Sequence, residues 1–243
     1  MKTAFYAGAS GLNAYQEKLD IVGNNISNCN TVGYKAQKAS FSQLLATQMG
    51  TGTDNSLLVG SGVRIVSSGL DAGTGDFVSS EGAADVAISG NGWFAINNNG
   101  QRAYTKDGSF SISLSGNLAY LVNQSGAYVL DSAGNQISSP LDTKTNKADI
   151  NAMLDRVGVF TVANPAARTP ASSNCYLSNA FTGTAAVATK SESKIVKGFL
   201  EQSDVSLADE MAALIVAQRG YQLSARVVQT ADEVEQTANS LRR

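Results

Sequence analysis

The chain reads as an α+β protein, with a long helix at each end and an antiparallel β domain between them. Phe5, Leu12, Leu19 and Ile26 recur every seven residues near the N-terminus. Leu207, Leu214, Tyr221 and Val228 do so near the C-terminus, and Val227, Val234 and Leu241 follow on an adjacent track. Between them Gly92, Gly100, Gly108, Gly116, Gly126 and Gly134 stand 8, 8, 8, 10 and 8 residues apart. A seven-residue apolar repeat makes a narrow seam that requires another helix against it. Turn residues at short, regular intervals cut a chain into hairpins.

Taken in order, residues 1–49 are expected to be a helical segment. A helix over 3–28 ends in an Asn-rich turn and Gly33, and a short helical continuation over 36–49 carries Phe41, Leu44 and Leu45. Residues 50–82 shift toward Gly, Ser and Thr and read as an extended linker with a strand at Val63–Val66. Residues 83–182 are the expected β domain. Its runs Trp93-Phe94-Ala95-Ile96 and Phe110-Ser111-Ile112 suit strands, and Asn99-Gly100, Asp107-Gly108 and Ser115-Gly116 have the chemistry of tight turns with φ > 0. Tyr104, Phe110, Tyr120 and Tyr128 are expected to pack across strands. A loop-rich return holds Pro140, Pro165 and Pro170 and a strand candidate at Val157–Val162. Residues 183–243 read as an extended segment and a long helix over 207–241, roughly 50 Å at 1.5 Å per residue. Ser206-x-x-Asp209 resembles a capping box, and Asp209 and Glu210 put negative charge in the first turn, where the helix dipole favours it.

Composition narrows the function. The 243 residues are 43% hydrophobic and 16% charged with net charge −2, which gives no global attraction to nucleic acid. No histidine is present, which removes Ser-His-Asp and Cys-His nucleophiles, His-ligated metals and the usual general base. Cys29 and Cys175 lie far apart and imply neither a zinc site nor a disulfide framework. A non-enzymatic protein without catalytic residues, metal or cofactor is therefore expected. Gly90-x-Gly92-x-x-Ala95 mimics a dinucleotide loop, but a strand-like run follows where that loop needs a helix. Asp232, Glu233 and Glu235 fan over different helix faces and suit a solvated surface. Ala7-x-Ala9 mimics a signal-peptidase site, yet Thr3–Tyr6 is short of the roughly 7–15 apolar residues a leader needs. No stretch approaches the ~20 apolar residues of a membrane span.

Neither terminal helix is self-supporting. Ordering backbone costs about 1–2 kcal/mol per residue, and a large apolar side chain returns about 1.5–3 only when fully buried. The N-terminal stripe has few such residues, so it needs a partner: the other end of the chain, neighbouring copies, or both. The alternative is an ordinary two-helix element packed on the β core, and periodicity does not decide between these.

The motifs point to an identity. In Asn24-Asn25-Ile26-Ser27-Asn28-Cys29-Asn30-Thr31-Val32-Gly33-Tyr34-Lys35, the Asn residues and Gly33 are good helix terminators, and Asn24 and Asn28 share a helix face. This stretch, NNISNCNTVGYK, resembles the N-terminal signature of the bacterial flagellar rod and hook proteins, the axial family of the basal body. The stretch GFLEQSDVSLADEMAALIVAQRGYQLSARVVQTADEVEQ resembles that family's C-terminal signature, and DVAISGNGWFAI and YTKDGSF resemble its β-domain segments.

The resemblance implies that the terminal helices pair as a coiled coil around a central export channel. The β domain then lies outside, and subunits stack helically into a hollow tube. It assigns Asn24, Asn25, Asn28, Asn30, Thr31, Gly33 and Tyr34 to the assembly motif. On the C-terminal side it implicates Gly198, Leu200, Glu201, Ser203, Val205, Met211, Ile215, Gln218, Arg219, Tyr221, Val228, Thr230, Ala231 and Asp232. The helix seams are expected at Phe5, Leu12, Leu19, Ile26, Leu207, Met211, Leu214, Tyr221, Val228, Val234 and Leu241, and Gln222, Gln229, Gln236 and Asn239 are candidates to line the channel. Cys29 departs from the pattern, where a small aliphatic residue is more usual.

The implied partners are sister copies, other rod and hook proteins and the flagellar type III export apparatus. The implied location is the basal body in the cell envelope and periplasm, reached without a cleaved leader. The chain is too short for a large outer domain of the hook type, which favours a rod subunit of the distal kind. A hook, cap or junction subunit is the near alternative. An extracellular β-domain hydrolase or sugar-binding protein is the distant one and would need polar side chains gathered in one pocket.

Overall fold

The computed structural model describes residues 2–49, 57–71, 73–98, 100–141, 148–171, 174–188 and 193–241. In chain order its elements begin with α1 (Lys2–Ser27), β1 (Gln37–Gln43), β2 (Ala46–Met49), β3 (Leu57–Gly60), β4 (Val63–Leu70), β5 (Phe77–Ser79), β6 (Val86–Gly90), β7 (Trp93–Asn98) and β8 (Gln101–Thr105). They continue with β9 (Ser111–Ser115), β10 (Leu118–Val122), β11 (Tyr128–Val129), β12 (Ser138–Pro140), α2 (Ile150–Leu154) and β13 (Val159–Thr161). The last are β14 (Thr169–Pro170), β15 (Tyr176–Leu177), β16 (Ala186–Val187), β17 (Ser193–Lys197), β18 (Phe199–Glu201) and α3 (Leu207–Ser240). The chain is therefore α+β, with a helix at each end and antiparallel sheet between.

Two compact units result. The helical unit holds residues 1–27, 37–68 and 206–243. In it β1 pairs with β4, and β2 pairs antiparallel with β3 from Ala46 opposite Gly60 to Met49 opposite Leu57. The helix expected over 36–49 is absent: those residues form β1 and β2. The reason is visible in Gln37–Gln43, where exposure largely alternates with a period of two, as on a strand with one covered face. Phe41, expected on that helix, is a strand residue whose ring packs 5.5 Å from that of Tyr15 on α1. The strand expected at Val63–Val66 is the first half of β4.

The β unit holds residues 28–36 and 69–205. Its main sheet runs β12-β10-β11-β7-β8-β15-β14, with β9 on β10, and β13 bridging β7 and β16. Two antiparallel ribbons, β6 with β17 and β5 with β18, complete it. Strand β7 is buried on both faces. Phe94 and Ile96 enter one core with Val86, Ile88, Leu121, Val129, Ile137, Met153 and Leu154, and Trp93 and Ala95 enter another with Leu70, Tyr104, Phe160 and Tyr176. This is why four consecutive apolar residues occur there without alternation.

The glycine spacing resolves into two uses. Gly100, Gly116, Gly126 and Gly134 take positive φ at turns, including the two-residue β7–β8 and β9–β10 hairpins. Gly108 and Gly92, read as turn glycines, do not take positive φ; each sits where a side chain would collide, Gly108 against Val86 and Gly92 against Val159. The aromatic pairs stack edge to face, Phe94 with Phe110 at 5.1 Å and Tyr120 with Tyr128 at 5.3 Å. Gly90 and Gly92 join two strands, so no helix N-terminus is present to hold a phosphate.

Candidate functional site

Within the helical unit, α1 and α3 lie against each other through small residues. A Cβ on Gly8 would stand 2.8 Å from Val228 Cγ2, and one on Gly11 would stand 2.9 Å from Ser224 Oγ. Gly220 lies under the ring of Tyr15, and Asn25 Nδ2 donates to Glu210 Oε1 at 2.9 Å. In each of these four pairs the residue numbers add to 235 or 236, as two antiparallel helices in one register require. On α1 the buried residues are Gly8, Gly11, Ala14, Val22 and Asn25; Leu12, Leu19 and Ile26 are half-buried beside them and Phe5 is exposed.

Helix α3 starts as its sequence suggests, with Ser206 Oγ accepting from Asp209 N at 3.4 Å. Successive residues turn by about 100°, so Ala213, Ala217, Gly220, Ser224 and Ala231 share one face. All are half-buried except Ala217, which is buried. A second face carries Val216, Leu223, Val227, Val234 and Leu241, which are 60%, 61%, 45%, 52% and 83% exposed. A third face carries Gln218, Gln222, Gln229 and Gln236, all exposed. Of the other expected seam residues, Leu207, Met211 and Tyr221 are exposed and Leu214 and Val228 half-buried; Asn239 is exposed. The helix thus turns mostly small residues toward α1 and leaves the Val216–Leu241 stripe exposed, the reverse of an ordinary core helix.

Within the β unit, the end of the Asn-rich motif is held by a buried ion cluster. Asn28 and Thr31 close its first turn, with Thr31 Oγ1 donating to Asn28 Oδ1 at 3.1 Å, and Asn24 and Asn30 are exposed. Gly33 has φ +65, and a Cβ there would come within 2.5 Å of the Lys106–Asp107 backbone, so only glycine fits. Its N–H donates to the Glu201 carbonyl at 2.7 Å. Lys35, two residues on, places its ammonium 2.6 Å from Glu201 Oε1 and donates to Gly73 O at 2.6 Å. Lys106 approaches Glu201 Oε2 at 3.3 Å, and Gly75 N donates to Oε1 at 2.9 Å. Asp204 accepts from Ala36 N at 2.7 Å and lies 3.9 Å from Lys35. Tyr34 is buried beside it, with its carbonyl accepting from Asp204 N at 3.4 Å. Asn174 donates to Val32 O at 2.6 Å.

The electrostatics are those of a desolvated cluster. Burial lowers the pKa of the Lys106 ammonium, with Glu201 opposing and Lys35 and Arg168 assisting. Burial raises the Asp204 carboxyl. Arg168 lies 4.2 Å from the Trp93 ring centre and 4.5 Å from that of Tyr104, and burial pulls it down to about 10. Among the described residues none accepts a hydrogen bond from its guanidinium. Lys35, Lys106, Arg168 and Asp204 were not singled out by the sequence: a cation in a lightly charged run signals burial weakly, and nothing local shows a partner 166 residues away.

Other features carry less chemistry. No group of acidic or cysteine side chains suited to a metal occurs among the described residues, and no described helix is long and apolar enough to cross a membrane. A groove of about 250 Å³ is lined by Asn97, Asn98, Ser125, Tyr128 and Gln136; it is open, and Asn97 Oδ1 already accepts from Gly100 N at 2.8 Å.

Comparison with known proteins follows the same segments. The family described as "Flagella basal body rod protein" matches residues 5–35, "Flagellar hook protein FlgE/F/G D1 domain" matches 87–154, and "Flagellar basal body rod FlgEFG protein C-terminal" matches 196–241. The first match ends on Lys35 and the third contains Glu201. The chain is similar to the flagellar basal-body rod protein FlgG of Bacillus subtilis, 32% identical over 267 residues and 100% of both chains. It is similar to that of Borreliella burgdorferi at 31% over 268 residues, again 100% of both. The flagellar hook protein FlgE of Borreliella burgdorferi is 34% identical over 104 residues, 40% of this chain and 24% of that protein.

Proposed function

The chain belongs to the flagellar basal-body rod protein family, and from that membership we propose that its terminal helices pair as a coiled coil and pack on those of sister copies to build a hollow, torque-transmitting tube. It is a structural subunit of the basal-body rod. Rod relatives match it from end to end whereas the hook relative matches two-fifths of it, which favours a rod of the distal kind over a hook or junction subunit.

One observation carries the reading: α3 turns its small residues to α1 and leaves the Val216–Leu241 stripe exposed. Five large apolar side chains along one edge of a helix amount to several kcal/mol of unused burial, at about 1.5–3 kcal/mol each when fully covered. Helices of neighbouring copies are the natural cover. The glutamine face lies on the other side of the same helix, where uncharged, hydrated amides suit the wall of a channel through which unfolded protein passes. Asn24 in the last turn of α1 and Asn30 just past it are exposed, on the side where neighbouring copies would pack. The protein's role in the basal body is structural, as in the rod proteins it resembles, and its route there is the type III export apparatus.

Electron microscopy of the concentrated full-length chain tests this. Tubes should form with the unaltered sequence and fail with Leu223→Asp or Val234→Asp, while circular dichroism of the β unit stays unchanged. Tubes of normal dimensions from both variants would overturn the reading.

A further inference from the structure

Asn25 is 1% exposed, yet its carboxamide is well satisfied. Its Nδ2 donates to Gln37 O and to Glu210 Oε1, each at 2.9 Å, and its Oδ1 accepts from Gln37 N at 3.0 Å. It therefore grips β1 as a strand neighbour would and reaches α3 with the hydrogen that remains. Resting on the helix-pair reading above, we propose that the Asn25–Glu210 bond is the register lock of that pair, selecting the one alignment in which the outer faces of α1 and α3 match a neighbouring copy.

Apart from Tyr15 over Gly220, the rest of the seam discriminates registers weakly. Ala217, Ser224 and Ala231 repeat every seven residues on the inner face, so a seven-residue slip sets Gly11 against alanine instead of serine. The same slip sets Tyr15 opposite Ala213 or Val227 in place of Gly220. At Gly11 one small side chain replaces another and packing changes little, whereas a Cβ at the place of Gly220 would stand 2.4 Å from the Tyr15 ring, so Tyr15 must move before the slip can occur. The polar pair behaves differently. A slip brings Ala217 or Ser203 to Asn25 in place of Glu210, and Ser203 lies before the helix begins. Asn25 then keeps a buried N–H without its acceptor, a cost that small-residue contacts cannot return. A single buried asparagine fixes register in helix pairs for this reason.

Disulfide trapping separates this from a general contribution to stability. A Cβ on Gly11 would stand 3.5 Å from Ser224 Cβ, within disulfide range. In the full-length chain carrying Cys29→Ser and Cys175→Ala, the effective concentration of the Gly11→Cys/Ser224→Cys pair is measured against glutathione. The slipped pairs Gly11→Cys/Ala217→Cys and Gly11→Cys/Ala231→Cys are measured alongside. The Ser224 pair should exceed both by about tenfold or more, as an unmet buried donor implies. Asn25→Ala or Glu210→Ala should cut that preference severalfold by raising the slipped pairs, Tyr15 over Gly220 keeping the remainder, and Glu210→Gln, which keeps an acceptor, should restore it. An unchanged preference in Asn25→Ala and Glu210→Ala, or an equal fall of all three pairs, would overturn the lock. No preference for the Ser224 pair with Asn25 and Glu210 intact would overturn the helix pairing itself, and the lock with it.

Discussion

Lys35 Nζ lies 2.6 Å from Glu201 Oε1, with both side chains fully out of solvent, so residues 166 apart meet as a buried ion pair. Glu201 also faces Lys106 at 3.3 Å, and one carboxylate therefore serves two ammonium groups. Removing one member of a buried pair costs about 3–5 kcal/mol because the other charge is left uncompensated. Glu201→Gln should lower the stability of the β unit by about that much, and Lys35→Met by less, since Glu201 keeps Lys106. Urea unfolding followed by the fluorescence of Trp93, the single tryptophan, reads this out. A Glu201→Gln chain within about 1 kcal/mol of the unaltered one would show that the cluster is not what holds this end of the motif.

Gly33 and Gly100 separate backbone strain from collision. Both have positive φ, +65 and +90, but a Cβ on Gly100 meets open space whereas one on Gly33 meets the Lys106–Asp107 backbone. Gly100→Ala should cost about 1–2 kcal/mol, the left-handed penalty alone. Gly33→Ala should cost clearly more, because backbone must move. Thermal unfolding of the two variants gives the comparison; equal shifts in Tm would contradict the close approach at Gly33.

These residues also mark how much could be read from the chain. The terminal helices, the β middle and the start of α3 at Ser206 were legible because periodicity and capping are local. The segment 36–49 is strand where a helix is expected, because its few large apolar residues do not settle the period and Phe41 finds its partner Tyr15 only in the fold. Gly92 and Gly108 looked like turn glycines by spacing, but close approach to Val159 and Val86 accounts for them. The Lys35–Glu201–Lys106 cluster was illegible because ion pairs distant in sequence leave no local pattern. The seven-residue stripes were visible, but not which face turns inward: large apolar residues suggest the seam, and the small ones beside them make it.

Cys175 gives a pH dependence of known sign. Burial pushes its thiol from 9.0 up to about 11. The folded state therefore keeps the proton where the unfolded chain has lost it. Its contribution is fully present below pH 9.0 and is lost as pH rises through about 11. Two units correspond to roughly 2–3 kcal/mol. Replacing Cys175 with alanine should flatten the fall in β-unit stability between those values, as judged by urea midpoints at a series of pH values. An identical slope in both chains would place the titration elsewhere.

The two apolar faces of α3 should respond oppositely to mutation. Ala217 is fully buried on the inner face. Leucine there must push the helices apart, and overpacking of this kind costs about 1–3 kcal/mol. Ala217→Leu should reduce the helical signal of the isolated chain and weaken its tubes indirectly. Leu223 is 61% exposed and touches little within the chain, so Leu223→Ala removes almost no intramolecular packing. It should leave helicity and unfolding unchanged while raising the concentration at which tubes form, because the methyl groups it deletes are buried only between copies. Circular dichroism and sedimentation on the same samples distinguish the two effects. If Leu223→Ala lowers helicity as much as Ala217→Leu, the outer stripe supports its own helix and the division of labour between the faces is wrong.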